Sequence, residues 1–401
     1  MLNFADQLKL IKKGTEEITP LDELIKKVEK SIKTGKPLRV KYGIDPTGSD
    51  VHIGHLVPIR KMREFQDMGH IGVIIIGDTT AQIGDPTGRD ESRPPLSKEQ
   101  VIQNSERYME QLFTVLDRDK TEIRYQSEWF SKLNLLDIIN IFSNFTLAQF
   151  MAHDTFRKRF DDGSPLFMNE MIYPILQGYD SVAIDADIEL GATEQKFNIL
   201  FGRDMQKLYN KELQVAILSP ILLGTCGTRK MGKSFNNYIA VFDTSTDKYG
   251  KVMSIPDSLI MNYFNYATKV DPDEIEKIKE ELVSGVNPKF IKQRLAREIV
   301  SLYHGEEEAL KAEEEFNRVF SQKELPTEID SYLCSESPIW IIKLLTDTKL
   351  CASSSEARRM IKQGAVSIDN AKISDENLQL DIEDDAIIKV GKRRFIKLQR
   401  G

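Results

Sequence analysis

Cysteine is scarce in this chain, long apolar runs are missing, and there is no excess of positive charge. Three cysteines, Cys226, Cys334 and Cys351, are spread over 401 residues with no CxxC pair. That spacing excludes a disulfide framework, offers no structural zinc site and fits the reduced thiols of a cytoplasmic protein. No apolar run approaches the ~20 residues needed to span a bilayer. The opening stretch MLNFADQLKLIKKGTEE carries charge throughout, unlike a signal peptide. The formal net charge is −7, so no global basic field draws the chain to nucleic acid, and any RNA contact depends on a local patch. Internal repeats and low-complexity tracts are also missing. A chain of this length is expected to form two or three domains.

What is present is a series of well-punctuated elements. TPLDELIKKVEKSIKTG reads as a helix with Thr19 as cap, Pro20 at its first position and Gly35 past its end. PLRVKYGI alternates like a strand. In LVPIRKMREFQDMG, Leu56, Ile59, Met62 and Phe65 line one helical face, and Gly69 sits where a helix stops. IGVIIIGD, residues 71–78, has the continuous apolar character of a central parallel strand. Strand, helix and strand with glycine-rich turns predict an α/β domain on a Rossmann-like doubly wound parallel sheet. Its ligand should lie beyond the carboxyl ends of the strands.

VAIDADIEL and QVAILSPIL read as further strands, and residues 98–163 as a mainly helical insertion. The texture changes near residue 249, where DPDEIEKIKEELVSG and GEEEALKAEEEFNRVF show acidic helical patterns with charge pairs four apart. The expected organisation is an α/β domain over 1–248, a helical domain over 249–325, a polar linker over 326–337 and a small α+β unit over 338–401. That last unit carries a helix in SSSEARRMIKQG, with Ser353 and Glu356 as a capping box, and a hairpin about Asp369-Asn370.

Three segments have the residue types that chemistry needs. DPTGSDVHIGHL, residues 45–56, places His52 and His55 around Gly54 just after a Pro-Thr-Gly turn. The spacing puts both histidines on the first turn of a helix, on the same side. A helix amino terminus offers free N–H groups and a partial positive charge. Two imidazoles there suit phosphate oxygens, Gly54 leaves a side-chain-free surface for a purine, and Thr47 adds a hydroxyl. Taken alone, the pattern equally describes two surface histidines at a helix start. RKMGKSFNN, residues 229–237, sets Lys230 and Lys233 about Gly232 in a stretch of little regular pattern. Two ammonium groups on a mobile loop suit a triphosphate, although a basic loop is more often plain solvated surface. In MIYPILQGYDSV, Tyr173, Gln177 and Asp180 fall at i, i+4 and i+7 on one helical face. Buried, they need partners. Pro174 and Gly178 leave open a kinked helix that shows them to water.

Together the HxGH and KMGKS segments, in that order about a sheet, resemble the signature pair of the class I aminoacyl-tRNA synthetases. GDTTAQIGDPTGR, YPILQGYDSV and ELGATEQKFN narrow the resemblance to the bacterial tyrosyl-tRNA synthetases, over essentially the whole chain. The resemblance implies a ligase that activates L-tyrosine with ATP, accompanied by Mg²⁺, and transfers it to tRNA(Tyr). It implies a homodimer with no tightly bound cofactor, no protein-held metal and no membrane contact. In the family, the residues matching Tyr173 and Gln177 hold the amino group of tyrosine with help from the one matching Asp85. Asp180 matches the acceptor of the phenol hydroxyl, and Tyr42, Asp45 and Gln195 join the same pocket. Thr47, His52, Lys230 and Lys233 are implied to bind the departing pyrophosphate. His55 and Gly54 lie near the nucleoside, with Gly191, Glu194 and Ser234 as further ATP contacts. The last unit resembles an S4-type RNA-binding domain, with Arg358, Arg359 and Lys362 on its helix and Lys392, Arg393 and Arg394 in KVGKRRFIK as phosphate contacts. The helical block before it corresponds to the family's anticodon-reading region.

Three positions depart from the family pattern. Glu194 stands where most members carry aspartate, and Gly232 where the lysine loop usually has serine. Lys41 occupies the register of a tyrosine that some members offer the phenol, with Tyr42 beside it. Phenylalanine in such a pocket should leave Asp180 buried and unpaired, at a cost of several kcal/mol. Rival readings are a tryptophanyl enzyme with a related core and a non-catalytic RNA-binding paralogue. A small-molecule adenylyltransferase sharing HxGH does not explain the additional domains.

Overall fold

The structure, a computed structural model, describes residues 2–46, 51–83, 97–320, 329–369, 371–391 and 394–401. The chain divides into two compact units, Met1–Leu310 and Lys311–Gly401.

The first unit is built on a six-stranded sheet of β1 (Glu17–Thr19), β2 (Arg39–Ile44), β3 (Ile71–Ile76), β4 (Thr121–Tyr125), β5 (Ile188–Ala192) and β6 (Val215–Ser219), in the order β1-β6-β5-β2-β3-β4. All neighbours are parallel except β1, which runs antiparallel along β6. The order reverses between β2 and β5, which is the switch point expected of a doubly wound sheet. The apolar run of β3 is buried from Gly72 onward, as suits a strand covered on both faces. Helix α1 (Leu56–Asp67) packs on the sheet through Leu56, Ile59, Met62 and Phe65, all fully buried. Helices α2 (Met168–Ala183) and α3 (Lys196–Leu208) lie against each other.

Several boundaries differ from the sequence reading. The helix expected from Pro20 covers Leu21–Thr34, with Pro20 as its cap in place of Thr19, because Thr19 is held in β1 against Ala216. Gly35 closes it in a left-handed conformation (φ 70°), as expected. The stretch 98–163 is more than a helical insertion: it supplies β4, the edge strand beside β3. TEIRY is short and mixed in polarity, and only pairing with β3 makes it a strand. The expected boundary at 248/249 falls inside helix Ser245–Met253, whose Tyr249 and Val252 are fully buried. Helices Ile260–Ala267, Pro272–Val283 and Pro288–His304 follow within the same unit, and Arg60 of α1 hydrogen-bonds the Tyr303 hydroxyl at 2.5 Å.

In the second unit, the expected linker over 326–337 contains a strand, Ser331–Cys334, which pairs in parallel with the last strand, Arg394–Arg400. The sheet continues through Ile387–Val390, Val366–Ile368 and Ala371–Lys372. The hairpin about Asp369 is present, while Asn370 lies outside the described residues. Helices Ile341–Asp347 and Ser354–Lys362 close the core over Ile341, Leu344, Leu345, Ile361 and Leu398. Ser353 caps the second helix by accepting from the Glu356 N–H, and Glu356 reaches back to Ala352 instead of Ser353. Among the described residues no helix is long and apolar enough to cross a membrane.

Candidate active site

The carboxyl ends of β2 and β5 open into a cleft of about 190 Å³. Tyr42, Asp45, His55, Tyr173, Gln177, Asp180 and Gln195 line it together, joined by Thr80, Tyr108 and Gln126. Residues 45 and 180 are far apart in sequence and meet because strands leaving a reversal in sheet order diverge around one crevice.

Helix α2 presents the polar face. It continues through Pro174 without interruption, so the water-exposed alternative is not taken: Tyr173 is 7% and Asp180 2% exposed. Gly178 permits the close approach of α3, since a Cβ there would stand 2.9 Å from the Phe201 carbonyl oxygen. The Tyr173 hydroxyl donates to Asp45 Oδ2 at 2.8 Å, and Gln177 Nε2 donates to Glu189 Oε1 at 3.0 Å. Asp180 is not left unpaired in the absence of a phenol, as the sequence reading expects. Gln126 Nε2 donates to its Oδ2 at 2.8 Å and Trp129 Nε1 to its Oδ1 at 3.1 Å. A carboxylate has about four lone-pair positions, so two remain for a ligand. Phenylalanine would therefore forfeit one hydrogen bond and displace water, which is a smaller penalty than an orphaned charge. Burial pushes the Asp180 carboxyl up to about 7, against the Lys41 ammonium and the bonds from Gln126 and Trp129, with Glu189 adding to the rise.

The histidine turn differs from the sequence expectation. His55 is the cap of α1, and His52 lies before the helix in an isolated antiparallel bridge to Ala240. Residues 51–53 are pinned against 239–241, where Ile53 N–H donates to Ile239 O and Val241 N–H to Val51 O, both at 3.0 Å. The two rings still share one side, stacked 3.6 Å apart at 16°. The His52 N–H reaches His55 Nδ1 at 3.4 Å, which leaves Nε2 of the exposed His55 as its donor. Burial, then His55 and Lys233, hold the His52 imidazole down at about 3, so it is neutral near pH 7. Its Nδ1 is buried without a hydrogen-bond partner. A Cβ on Gly54 would stand 3.1 Å from that same Nδ1. The absence of a side chain at Gly54 thus leaves room for the stacked His52 ring.

The lysine loop closes on the same place. Met231 packs beside Gly54, where an added Cβ would lie 3.5 Å from the Met231 Cβ. Leu223 bridges Lys230, and Gly224 N–H donates to Arg229 O at 2.9 Å. Buried Asn237 staples the loop: Nδ2 donates to Lys230 O at 3.1 Å and Oδ1 accepts the Gly232 N–H at 2.9 Å. Lys230 Nζ pairs with Glu194 at 3.2 Å across the cleft mouth, and Lys233 and Ser234 are exposed. Gly232 is extended (φ −172°), and an added Cβ would touch only Phe235, at 3.6 Å. Nothing in the backbone there demands glycine. Gly191, next to last in β5, lies beside Gln195, with Ile199 only 2.5 Å from where a Cβ would stand. Thr47 and Asp85 lie outside the described residues.

Residues 33–321 match the family described as "tRNA synthetases class I (W and Y)", and residues 321–401 match the "Tyrosine--tRNA ligase SYY-like C-terminal domain". The chain belongs to the class I tRNA synthetases (W and Y). It is 47% identical over 399 residues to the tyrosine–tRNA ligase of Carboxydothermus hydrogenoformans, covering 98% of this chain and 97% of that one. It is 44% identical over 395 residues to that of Moorella thermoacetica, covering 98% and 96%. The fold is similar to a C-terminally truncated mitochondrial tyrosyl-tRNA synthetase of Aspergillus nidulans, at a TM-score of 0.66 and 21% identity over 80% of this chain and 95% of the other.

This synthetase keeps its remaining candidate residues in the second unit. Arg358, Arg359 and Lys362 are exposed on helix Ser354–Lys362, Arg358 lying over the Trp340 ring and Lys362 3.5 Å from Glu376. Arg394 is spent internally, donating to Leu350 O and pairing with Glu356 at 3.0 Å. Lys392 and Arg393 lie outside the described residues. Sequence reasoning missed Gln126, Trp129, Glu189 and Asn237. Trp129 is one of two tryptophans in the chain and sits in a polar stretch, the one available signal. Among the described residues, no group of three or more His, Cys, Asp or Glu side chains could hold a metal ion.

Proposed function

We propose that this chain activates L-tyrosine with ATP and transfers the tyrosyl group to tRNA(Tyr). The observation that carries this reading is Asp180, buried in the cleft wall and oriented by Gln126 and Trp129 with acceptor capacity to spare. A phenol hydroxyl fills that capacity, and a phenyl ring, with no donor, does not. Tyr173 and Gln177, with Asp85, hold the amino group, and Tyr42, Asp45 and Gln195 complete the pocket. The tyrosine carboxylate then attacks the α-phosphate of ATP, forming tyrosyl-adenylate and expelling pyrophosphate. No side-chain nucleophile is needed; alignment and charge stabilisation carry the step.

Thr47, His52, His55, Lys230 and Lys233 meet the outgoing charge. Gly54, Gly191, Glu194 and Ser234 attend the nucleotide. Lys230 must leave Glu194 to reach phosphate, which frees Glu194 for the ribose. Mg²⁺ enters with ATP as part of the substrate. The second unit acts as an S4-like RNA-binding domain through Arg358, Arg359 and Lys362, with Lys392 and Arg393, while Arg394 braces it. The helices of 249–325 read the anticodon. The chain works as a homodimer, a reading supported by exposed Leu135, Leu136, Ile139, Leu147, Phe160 and Met168 clustered in sequence.

Amino-acid-dependent exchange of pyrophosphate into ATP tests the assignment. Tyrosine is expected to drive exchange, and faster exchange with tryptophan would overturn it. Lys233→Ala is expected to abolish adenylate formation while tRNA binding persists; tight RNA binding by an unmodified chain inert in exchange would favour a retired paralogue.

A further inference from the structure

Lys41 and Glu189 face each other in register on β2 and β5, at 0% and 1% exposure, with Nζ 3.0 Å from Oε1. A buried ion pair is costly to desolvate and is seldom retained for stability alone. Every further partner of Lys41 comes from α2: its Nζ donates to the Gln177 carbonyl and to Ser181 Oγ, both at 2.8 Å. Glu189 accepts from Gln177 Nε2 at 3.0 Å, from Ser181 Oγ at 3.2 Å and from Gln214 Nε2. The pair thus clamps the helix that carries Tyr173, Gln177 and Asp180.

We propose that the Lys41–Glu189 pair is a positioning device for tyrosine recognition, orienting the Gln177 carboxamide and clamping the face of α2 that presents Asp180 to the phenol. This rests on the reading of the cleft as the tyrosine site. Glu189, as a carboxylate, only accepts, so it fixes Gln177 Nε2 toward itself and leaves the side-chain oxygen, Gln177 Oε1, for a substrate ammonium. The charges bearing on Asp180 are the Lys41 ammonium from β2, which favours its ionised form, and Glu189 from β5, which opposes it; Gln126 and Trp129 supply hydrogen bonds. Lys41 is the larger of the two influences.

The test is the pH profile of kcat/KM for tyrosine in pyrophosphate exchange, run on the full chain. Lys41→Met is expected to move the acid limb to higher pH by about one unit or more, a loss of about tenfold on the acid side. Glu189→Gln is expected to move the limb to lower pH, while the KM for tyrosine rises as Gln177 loses its fixed orientation. The KM for ATP stays unchanged in both. Should Lys41→Met fail to fold, Lys41→Met with Glu189→Gln leaves no orphaned charge, and its limb is still expected to rise because Lys41 dominates. Limbs that stay put, or that move in one direction in both single variants, overturn the proposal. Absence of tyrosine-dependent exchange in the unmodified chain would instead overturn the functional reading itself.

Discussion

At the scale of single residues, Asp180 concentrates the chemistry. Its carboxyl is raised to about 7 by burial, and only the ionised form accepts a phenol proton without first turning its own away. Below pH 7 the protonated form prevails, so kcat/KM for tyrosine is expected to rise with pH through about 7 and level above it. Phenylalanine, lacking the hydroxyl, should show no such limb. Asp180→Asn removes the charged acceptor and turns an amide donor toward Gln126 or Trp129. A hydrogen bond to a charged group is worth about 1.5–3 kcal/mol, so kcat/KM for tyrosine should fall about 10- to 150-fold in exchange assays. Selection between tyrosine and phenylalanine narrows with it. That Asp180 matters was legible in the sequence through the family resemblance, since the polar helical face alone left a kinked, water-exposed helix open. That it is held by Gln126 and Trp129 was not, because those donors come from a segment some fifty residues away whose own pattern gives no hint of the approach.

At the scale of elements, two loops meet over the cleft mouth and each is stiffened differently. The histidine turn is pinned by backbone bonds to 239–241, and the lysine loop by the carboxamide of Asn237. Asn237→Ala removes the staple without touching the tyrosine cavity. The expected result is a fall in kcat for adenylate formation of about tenfold or more, with the KM for tyrosine unchanged, in single-turnover and steady-state exchange. Helix assignments from apolar periodicity hold well, since α1 buries the four residues that the 3.6 period selects. The start of α1 was displaced by the bridge between His52 and Ala240, a contact no local pattern encodes. β4 escaped the sequence reading for the same reason: an edge strand gains its identity from its neighbour.

At the scale of the whole molecule, the division into Met1–Leu310 and Lys311–Gly401 separates the cleft from the small basic-helix unit. Every described residue of the cleft and both loops lies in the first unit. A chain ending at residue 320, which keeps helix Glu306–Phe320, is expected to retain tyrosine-dependent pyrophosphate exchange and to lose most of its tRNA charging. Exchange and aminoacylation assays on the same preparation check this. Equal charging by the shortened chain would remove the second unit from RNA binding. The chain is acidic overall, so charging by the full chain should weaken with salt mainly through the exposed cations of that unit.

The sequence by itself determined the succession of elements, the two signature segments and the polar face of α2, because apolar period, turn residues and fixed spacings are local properties. Tertiary structure alone decided what those groups touch. The reversal of strand order brings residues 42–45, 173–180 and 195 around one cleft, and pairing across β2 and β5 places Lys41 against Glu189. Burial then sets the charge of Asp180 and His52. Desolvation and long-range hydrogen bonding depend on neighbours distant in the chain, so no reading of spacing could have supplied them.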